Sequence, residues 1–143
     1  MREILFRGKR VNNGRWVYGG IVPLDADSGY VFINESFLSE STLPVHELVK
    51  NYMHLVDTAT VGQYTGLKDK NGKKIFEGDI CQYKKTGRTV LVAWHGTMAG
   101  FVWNKKEDSS LYDFGELFRV HDKYEVIGNI HDNPELLKGD NDA

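Results

Sequence analysis

The chain has 143 residues, 41% hydrophobic and 27% charged, and its 18 basic and 20 acidic side chains give a formal net charge of −2. That balance excludes wholesale disorder, which needs fewer apolar residues and a larger net charge, and a strongly basic nucleic-acid coat, though not a local basic patch. The single cysteine excludes an internal disulfide framework and a cysteine-based zinc cage, neither of which a chain this long needs in order to fold.

No apolar run approaches the roughly 18 residues of a membrane helix. The opening Met1-Arg2-Glu3-Ile4-Leu5-Phe6-Arg7 contains an acid and soon returns to charge at Lys9-Arg10, unlike a signal peptide. A cytoplasmic protein without membrane contact is the expectation. Aromatics at 12%, 15 glycines and only 3 prolines predict many short strands joined by tight turns. Residues 3–10 and 15–22 read as a hairpin. Its turn carries Asn13-Gly14, the chemistry of positive φ. Trp16 and Tyr18 share one face of the second strand and Val17 takes the other. Asp25 to Gly29 is a loop, and Tyr30-Val31-Phe32-Ile33 is a third strand, rich in β-branched and aromatic residues. Residues 35–57 are the least regular part. Leu43-Pro44 opens a predicted helix at about 45–52, with Val45, Leu48, Val49 and Tyr52 on one apolar face.

From residue 60 to 80 the chain is dense with punctuation. Asn71-Gly72 marks one tight turn and Glu77-Gly78-Asp79 a second, which feeds the strand Ile80-Cys81-Gln82-Tyr83. Lys84-Lys85-Thr86-Gly87-Arg88 is a third turn. Thr89 to His95 is the strongest strand; its apolar residues occupy both faces, which predicts a central, doubly covered position. Gly100 to Trp103 is the next strand, Lys105 to Ser110 a solvated loop, and Tyr124 to Ile130 the strand that closes the sheet. Asn133-Pro134-Glu135 has the start signals of a helix, with Leu136 and Leu137 to dock it and Gly139 to stop it. The fold expected is mainly β with minor α. A β-rich region over 1–60 shares a core with the rest, and residues 61–143 form a small SH3-like barrel with a short C-terminal helix.

Three blocks resemble the YopX family of phage and prophage proteins. The first is Arg2-Glu3-Ile4-Leu5-Phe6-Arg7-Gly8-Lys9 with Trp16-Val17-Tyr18-Gly19. The second is residues 60–80, and the third runs from Val126-Ile127-Gly128-Asn129-Ile130 through His131-Asp132-Asn133-Pro134 to Leu137. The blocks sit at the start, middle and end of the chain. The resemblance implies a mostly-β protein encoded by a temperate phage or its integrated remnant. It implies no activity and carries no catalytic residue.

Lys68, Lys70, Lys73, Lys74, Lys84, Lys85 and Arg88 form a basic cluster that two neighbouring turns can gather on one rim, where phosphates would be drawn in and salt would weaken the contact. Tyr64, Tyr83 and Trp103 are candidate stacking faces for bases. The plainer reading of these lysines is solubilising charge on turn tips. Trp16, Trp94 and Trp103 read first as core payload. His46, His54, His95, His121 and His131 show no ligand spacing, so no metal site and no cofactor are expected. Cys81 reads as a small buried apolar residue. No Gly-x-Ser-x-Gly elbow or phosphate-cradling glycine loop is present. Asn71, Gly72, Gly78, Asp79, Gly128 and Asn129 read as fold-specifying turn residues.

A non-enzymatic binding or assembly module is the leading reading. Unpaired strand edges favour self-association into a homo-oligomer, or a phage or host protein partner. A nucleic-acid accessory protein using the rim at 68–88 is the alternative, and an enzyme on a small metabolite or nucleotide is the least supported class.

Overall fold

The structure, a computed structural model, describes residues 3–23, 28–32, 53–96, 100–105, 112–113 and 116–137. The helix expected at about 45–52, residues 106–110 of the polar loop and the C-terminal tail lie outside them. Among the described residues the protein is mainly β, and no helix is long and apolar enough to cross a membrane. The chain divides into two compact units, residues 1–63 and 64–143.

In the first unit, strands β1 (Phe6–Lys9), β2 (Trp16–Pro23), β3 (Ser28–Phe32) and β4 (Met53–Asp57) pair antiparallel in the order β4-β3-β2-β1. The long β2 is shared: Trp16 to Gly19 face β1, and Gly20 to Pro23 face β3. The loop Val11–Gly14 joins β1 to β2. Gly14 has φ +69°, and its N–H donates to the Arg10 carbonyl at 2.9 Å. Arg7, Lys9, Trp16 and Tyr18 fall on one face of this hairpin. There the Arg7 guanidinium lies 4.7 Å from the centre of the Trp16 ring, and the Lys9 ammonium 5.8 Å.

On the other face the sheet curls. Arg10 bridges to Val56, and the Val11 N–H donates to the Leu55 carbonyl at 3.1 Å. This return depends on Gly8, because a Cβ there would stand 3.1 Å from Val56 Cβ, whose side chain is fully buried. Thr60, at the end of the 3-10 turn Thr58–Thr60, supplies a further tie. Its Oγ1 accepts from the Lys9 N–H at 2.9 Å and donates to the Asp57 carbonyl at 2.6 Å. Strand β5 (Gly62–Lys68) begins here, with Gly62 and Gln63 beside Arg7 and Phe6.

In the second unit the rest of β5 forms a ribbon with β6 (Lys74–Phe76). The register breaks between Tyr64 and Lys68. Thr65 Oγ1 fills the break, donating to the Ile75 carbonyl at 2.8 Å and accepting from the Leu67 N–H at 3.2 Å. The remaining strands make a five-stranded antiparallel sheet in the order β10 (Tyr112–Asp113), β9 (Gly100–Lys105), β8 (Arg88–His95), β7 (Asp79–Tyr83) and β11 (Glu125–Asn129). The doubly apolar β8 is its middle strand. Ile75, Cys81, Val90, Val92, Tyr124 and Val126 form the core together with Leu117 from the short helix α1 (Glu116–Val120).

The expected SH3-like barrel is not closed among the described residues: there β10 and β11 end an open sheet, and β5 and β6 pair with each other across the Asp69–Lys73 turn. Where the C-terminal α-helix is expected, the described residues form a 3-10 turn, Pro134–Leu137. Asn133, the expected cap, aims its Oδ1 back at the Asn129 N–H (3.3 Å), so it serves the preceding turn instead of a first helical turn. Trp94 also differs from its core reading. It is 49% exposed and packs edge-on to Phe101, where β8 outruns the buried layer.

Candidate polyanion-binding groove

The turns of the second unit are set by two buried carboxylates. Asp69 is 5% exposed. Its Oδ1 accepts from the N–H groups of Asn71 (2.8 Å) and Lys73 (2.9 Å), and its Oδ2 accepts from the Val126 N–H of β11 (2.9 Å). One side chain thus shapes the Asn71-Gly72 turn and ties it to the sheet edge; Gly72, at φ +81°, completes the bend. Asp79, 1% exposed, accepts from the Phe76 N–H at 2.7 Å. The adjacent Gly78, at φ +93°, donates to the Val92 carbonyl and accepts from the Ile130 N–H. At the far end of β11, Asn129 Oδ1 accepts from His131 (3.0 Å) and Asp132 (2.9 Å). Gly128 leaves room for this turn, since a Cβ there would meet Asn133 Oδ1 at 2.5 Å.

The same architecture gathers charge. Lys70 follows Asp69 directly, and its N–H donates to the Tyr124 carbonyl at 2.9 Å. Lys84 and Lys85 ride on the β7–β8 loop, where the Gly87 N–H donates to the Tyr83 carbonyl at 2.8 Å. Lys123 ends the 3-10 turn His121–Lys123, which is anchored by His121 Nδ1 donating to the Lys68 carbonyl at 2.6 Å. Lys70, Tyr83, Lys84, Lys85 and Lys123 line one groove of about 510 Å3.

The basic cluster read from the sequence is therefore divided. Lys70, Lys84 and Lys85 reach the groove, whereas Lys68, Lys73, Lys74 and Arg88 are not among its lining residues. Lys74 instead holds its ammonium 5.5 Å from the centre of the Tyr64 ring, and Arg88 Nη1 donates to the Tyr124 hydroxyl at 3.2 Å. Among the candidate stacking residues, Tyr64 is 7% exposed and packed on Phe76, which leaves it no open face. Trp103 takes its place in β9 opposite Val92; its side chain lies outside the described residues. Tyr83 is half-buried and lines the groove.

Lys123 and Asp69 are the residues that sequence reasoning missed. The Asp69-Lys70-Asn71-Gly72 run holds a signal for an Asx turn at Asp69. No local signal links Lys123 to Lys84. Glu125 is the acid beside the groove residue Lys70, with Oε2 at 4.0 Å from the ammonium. Both side chains are about one-third exposed, and such a pair exchanges readily for a stronger anion. Lys84, Lys85 and Lys123 form no ion pair among the described residues.

Cys81 is fully buried in β7. Burial pushes its thiol up, and the negative charge of Asp79 and then Asp69 adds to this against a smaller opposing effect of Lys73. Such a thiol is a poor nucleophile. No group of His, Cys, Asp and Glu able to hold a metal occurs among the described residues.

A family model described as YopX protein matches residues 5–138. The chain is similar to the crystal structure of protein EF1440 from Enterococcus faecalis, with a TM-score of 0.53 and 24% identity, over 96% of this chain and 99% of that one. That likeness is one of fold alone. No curated protein matches the chain.

Proposed function

The chain belongs to the YopX protein family, and from that premise, which brings no chemistry with it, we propose a non-enzymatic binding module whose groove holds a phosphate-bearing polyanion. In the setting that the resemblance implies, this is a phage-encoded accessory protein acting in the cytoplasm of its host. The observation that carries the reading is the convergence of Lys70, Lys84, Lys85 and Lys123 on one groove of a chain whose formal net charge is −2. Lys84 and Lys85 are neighbours on one turn, but Lys70 and Lys123 come to the same groove from other segments. Such convergence suits phosphates, because the summed field and the released counterions act on one ligand.

The test is a titration of fluorescent single-stranded and duplex oligonucleotides and of inorganic polyphosphate at 50 and 200 mM salt. With four phosphates neutralised, affinity should fall roughly 50- to 150-fold across that range. The triple variant Lys84→Glu, Lys85→Glu, Lys123→Glu should bind none of the three. Salt-independent binding, or a triple variant that binds as the parent does, rejects the groove.

Self-association is the second reading, favoured by the half-exposed Trp94 packed edge-on to Phe101. Sedimentation at tens of micromolar, the concentration scale of weak interfaces, should show a dimer or larger. A strict monomer there removes it.

A further inference from the structure

The groove contains a ring as well as charge. Tyr83 belongs to β7, and its ring stands 5.5 Å from that of Tyr124 at an interplanar angle of 30°. Tyr124 is 4% exposed, so it forms a fixed backing. Its hydroxyl receives Arg88 Nη1 at 3.2 Å, and its carbonyl receives the Lys70 N–H at 2.9 Å. Tyr83 thus has a buried, hydrogen-bonded partner beside its ring, and it is one of the residues that line the groove. Lys84 and Lys85 follow it directly in the chain. A planar group laid on the ring and an anion held by the next residues along the chain would meet the same short stretch of protein.

That juxtaposition selects among polyanions. Inorganic polyphosphate has no planar group to offer. A duplex keeps its base faces inside the stack, and only its phosphates would reach the lysines. A single strand offers both. Aromatic stacking beside a basic groove is how proteins hold single strands with little regard to sequence. Resting on the polyanion reading above, we infer that the groove takes single-stranded nucleic acid, with one base on the Tyr83 ring and the flanking phosphates among Lys70, Lys84, Lys85 and Lys123. The chemistry is shared by DNA and RNA. No base-edge reader is invoked, so homopolymers of different bases bind within a small factor of one another.

The experiment compares oligo-dT, oligo-U, a duplex of equal length and inorganic polyphosphate on the parent chain, Tyr83→Leu and Tyr83→Trp. The parent should bind the single strands tighter than the duplex or polyphosphate, and the ratio of oligo-dT to oligo-U affinity decides between the two sources. Tyr83→Leu should lose roughly fivefold or more for single strands while keeping its affinity for polyphosphate. Tyr83→Trp should bind as the parent does, and its added indole emission should be quenched by oligo-dT but not by polyphosphate. Equal affinity for all four probes, or unquenched emission in a Tyr83→Trp protein that binds oligo-dT, overturns the single-strand assignment and leaves the polyanion groove standing. Absence of binding to every probe overturns both. If Tyr83→Leu fails to fold, the quenching measurement on Tyr83→Trp decides alone.

Discussion

In the loop Val11–Gly14 the Arg10 carbonyl accepts from the Gly14 N–H at 2.9 Å, and in Lys84–Gly87 the Tyr83 carbonyl accepts from the Gly87 N–H at 2.8 Å. The two glycines have φ +69° and +76°. One bend is used twice, once in each unit. The first carries Val11, 60% exposed, and two asparagines; the second carries Lys84, Lys85 and Thr86 beside a tyrosine. A glycine in the left-handed region fixes the backbone, and the residues that ride on the bend are free to vary. The units differ more in how they hold their strands. The first closes by an apolar approach of Gly8 to Val56 and by the Thr60 hydroxyl, whereas the second uses the buried carboxylates Asp69 and Asp79.

The largest expected effect tests that contrast. Asp69→Ala removes the acceptor of the Asn71, Lys73 and Val126 N–H groups. The Asn71 and Lys73 amides sit on an exposed turn and can turn to water, but the Val126 amide is in the buried edge of the sheet. Leaving it unmade costs about 1–3 kcal/mol, and loss of the charge-assisted bonds adds to this, so a loss of about 3 kcal/mol in denaturant unfolding is expected. Thr60→Val, the counterpart in the first unit, should cost about 1 kcal/mol, since the hydroxyl holds a single strand amide. Equal costs would mean that the two units are not held differently.

Much of this was legible in the residues. The strand runs and turn glycines are local signals, and β8 announces its central place by its two apolar faces. Partners distant in sequence were not legible. Glycines mark where the chain reverses but not which strands then pair, so an open sheet and a ribbon that continues from β1 look like a barrel in sequence. Asp69 binds two amides within its own turn, which an Asx pattern suggests, but the amide of Val126 lies 57 residues away. Asn133-Pro134 reads as a helix start because the same asparagine acceptor can cap a following helix or, as here, accept the Asn129 N–H four residues back. Lys123 enters the groove only because the segment after α1 folds back beside β7 and its loop.

Gly8→Ala probes the closure of the first unit. The new Cβ would stand 3.1 Å from Val56 Cβ and Cγ2 and 3.3 Å from Cγ1, so a fully buried side chain would have to yield by a few tenths of an ångström. Overpacking of this kind costs about 1–3 kcal/mol. In Val56→Ala, which lacks both Cγ atoms, the same change should cost less, giving a non-additive cycle. Additive costs would mean that the curl does not depend on this contact.

Gly14→Ala and Gly87→Ala sharpen the comparison of the loops. Neither added Cβ would meet an atom within 4 Å, so only the left-handed backbone is penalised, by about 1 kcal/mol in each case. Asparagine, which tolerates this conformation, should recover part of the loss at both sites. The stability costs should match within a few tenths of a kcal/mol. Binding should not match: Gly87→Ala disturbs the loop that carries Lys84 and Lys85 and weakens oligonucleotide affinity, and Gly14→Ala leaves it unchanged.

The smallest effect is a pH dependence confined to the first unit. His54 of β4 is held below its ordinary value of 6.5, first by desolvation and then by the positive charge of Arg10. The folded chain therefore resists protonating His54, and the unfolded chain takes up that proton more readily. Stability is present in full above pH 6.5 and declines as pH falls through 6.5 towards the folded value, because there the unfolded state binds more protons. The side chain is only partly buried, so solvent screening keeps the change small. His54→Gln should remove this component of the slope between pH 7.5 and 5, and Arg10→Gln should remove only the smaller, charge-borne part of it. A steeper loss on acidification in His54→Gln than in the parent would reverse the sign and place His54 beside an acid instead of Arg10.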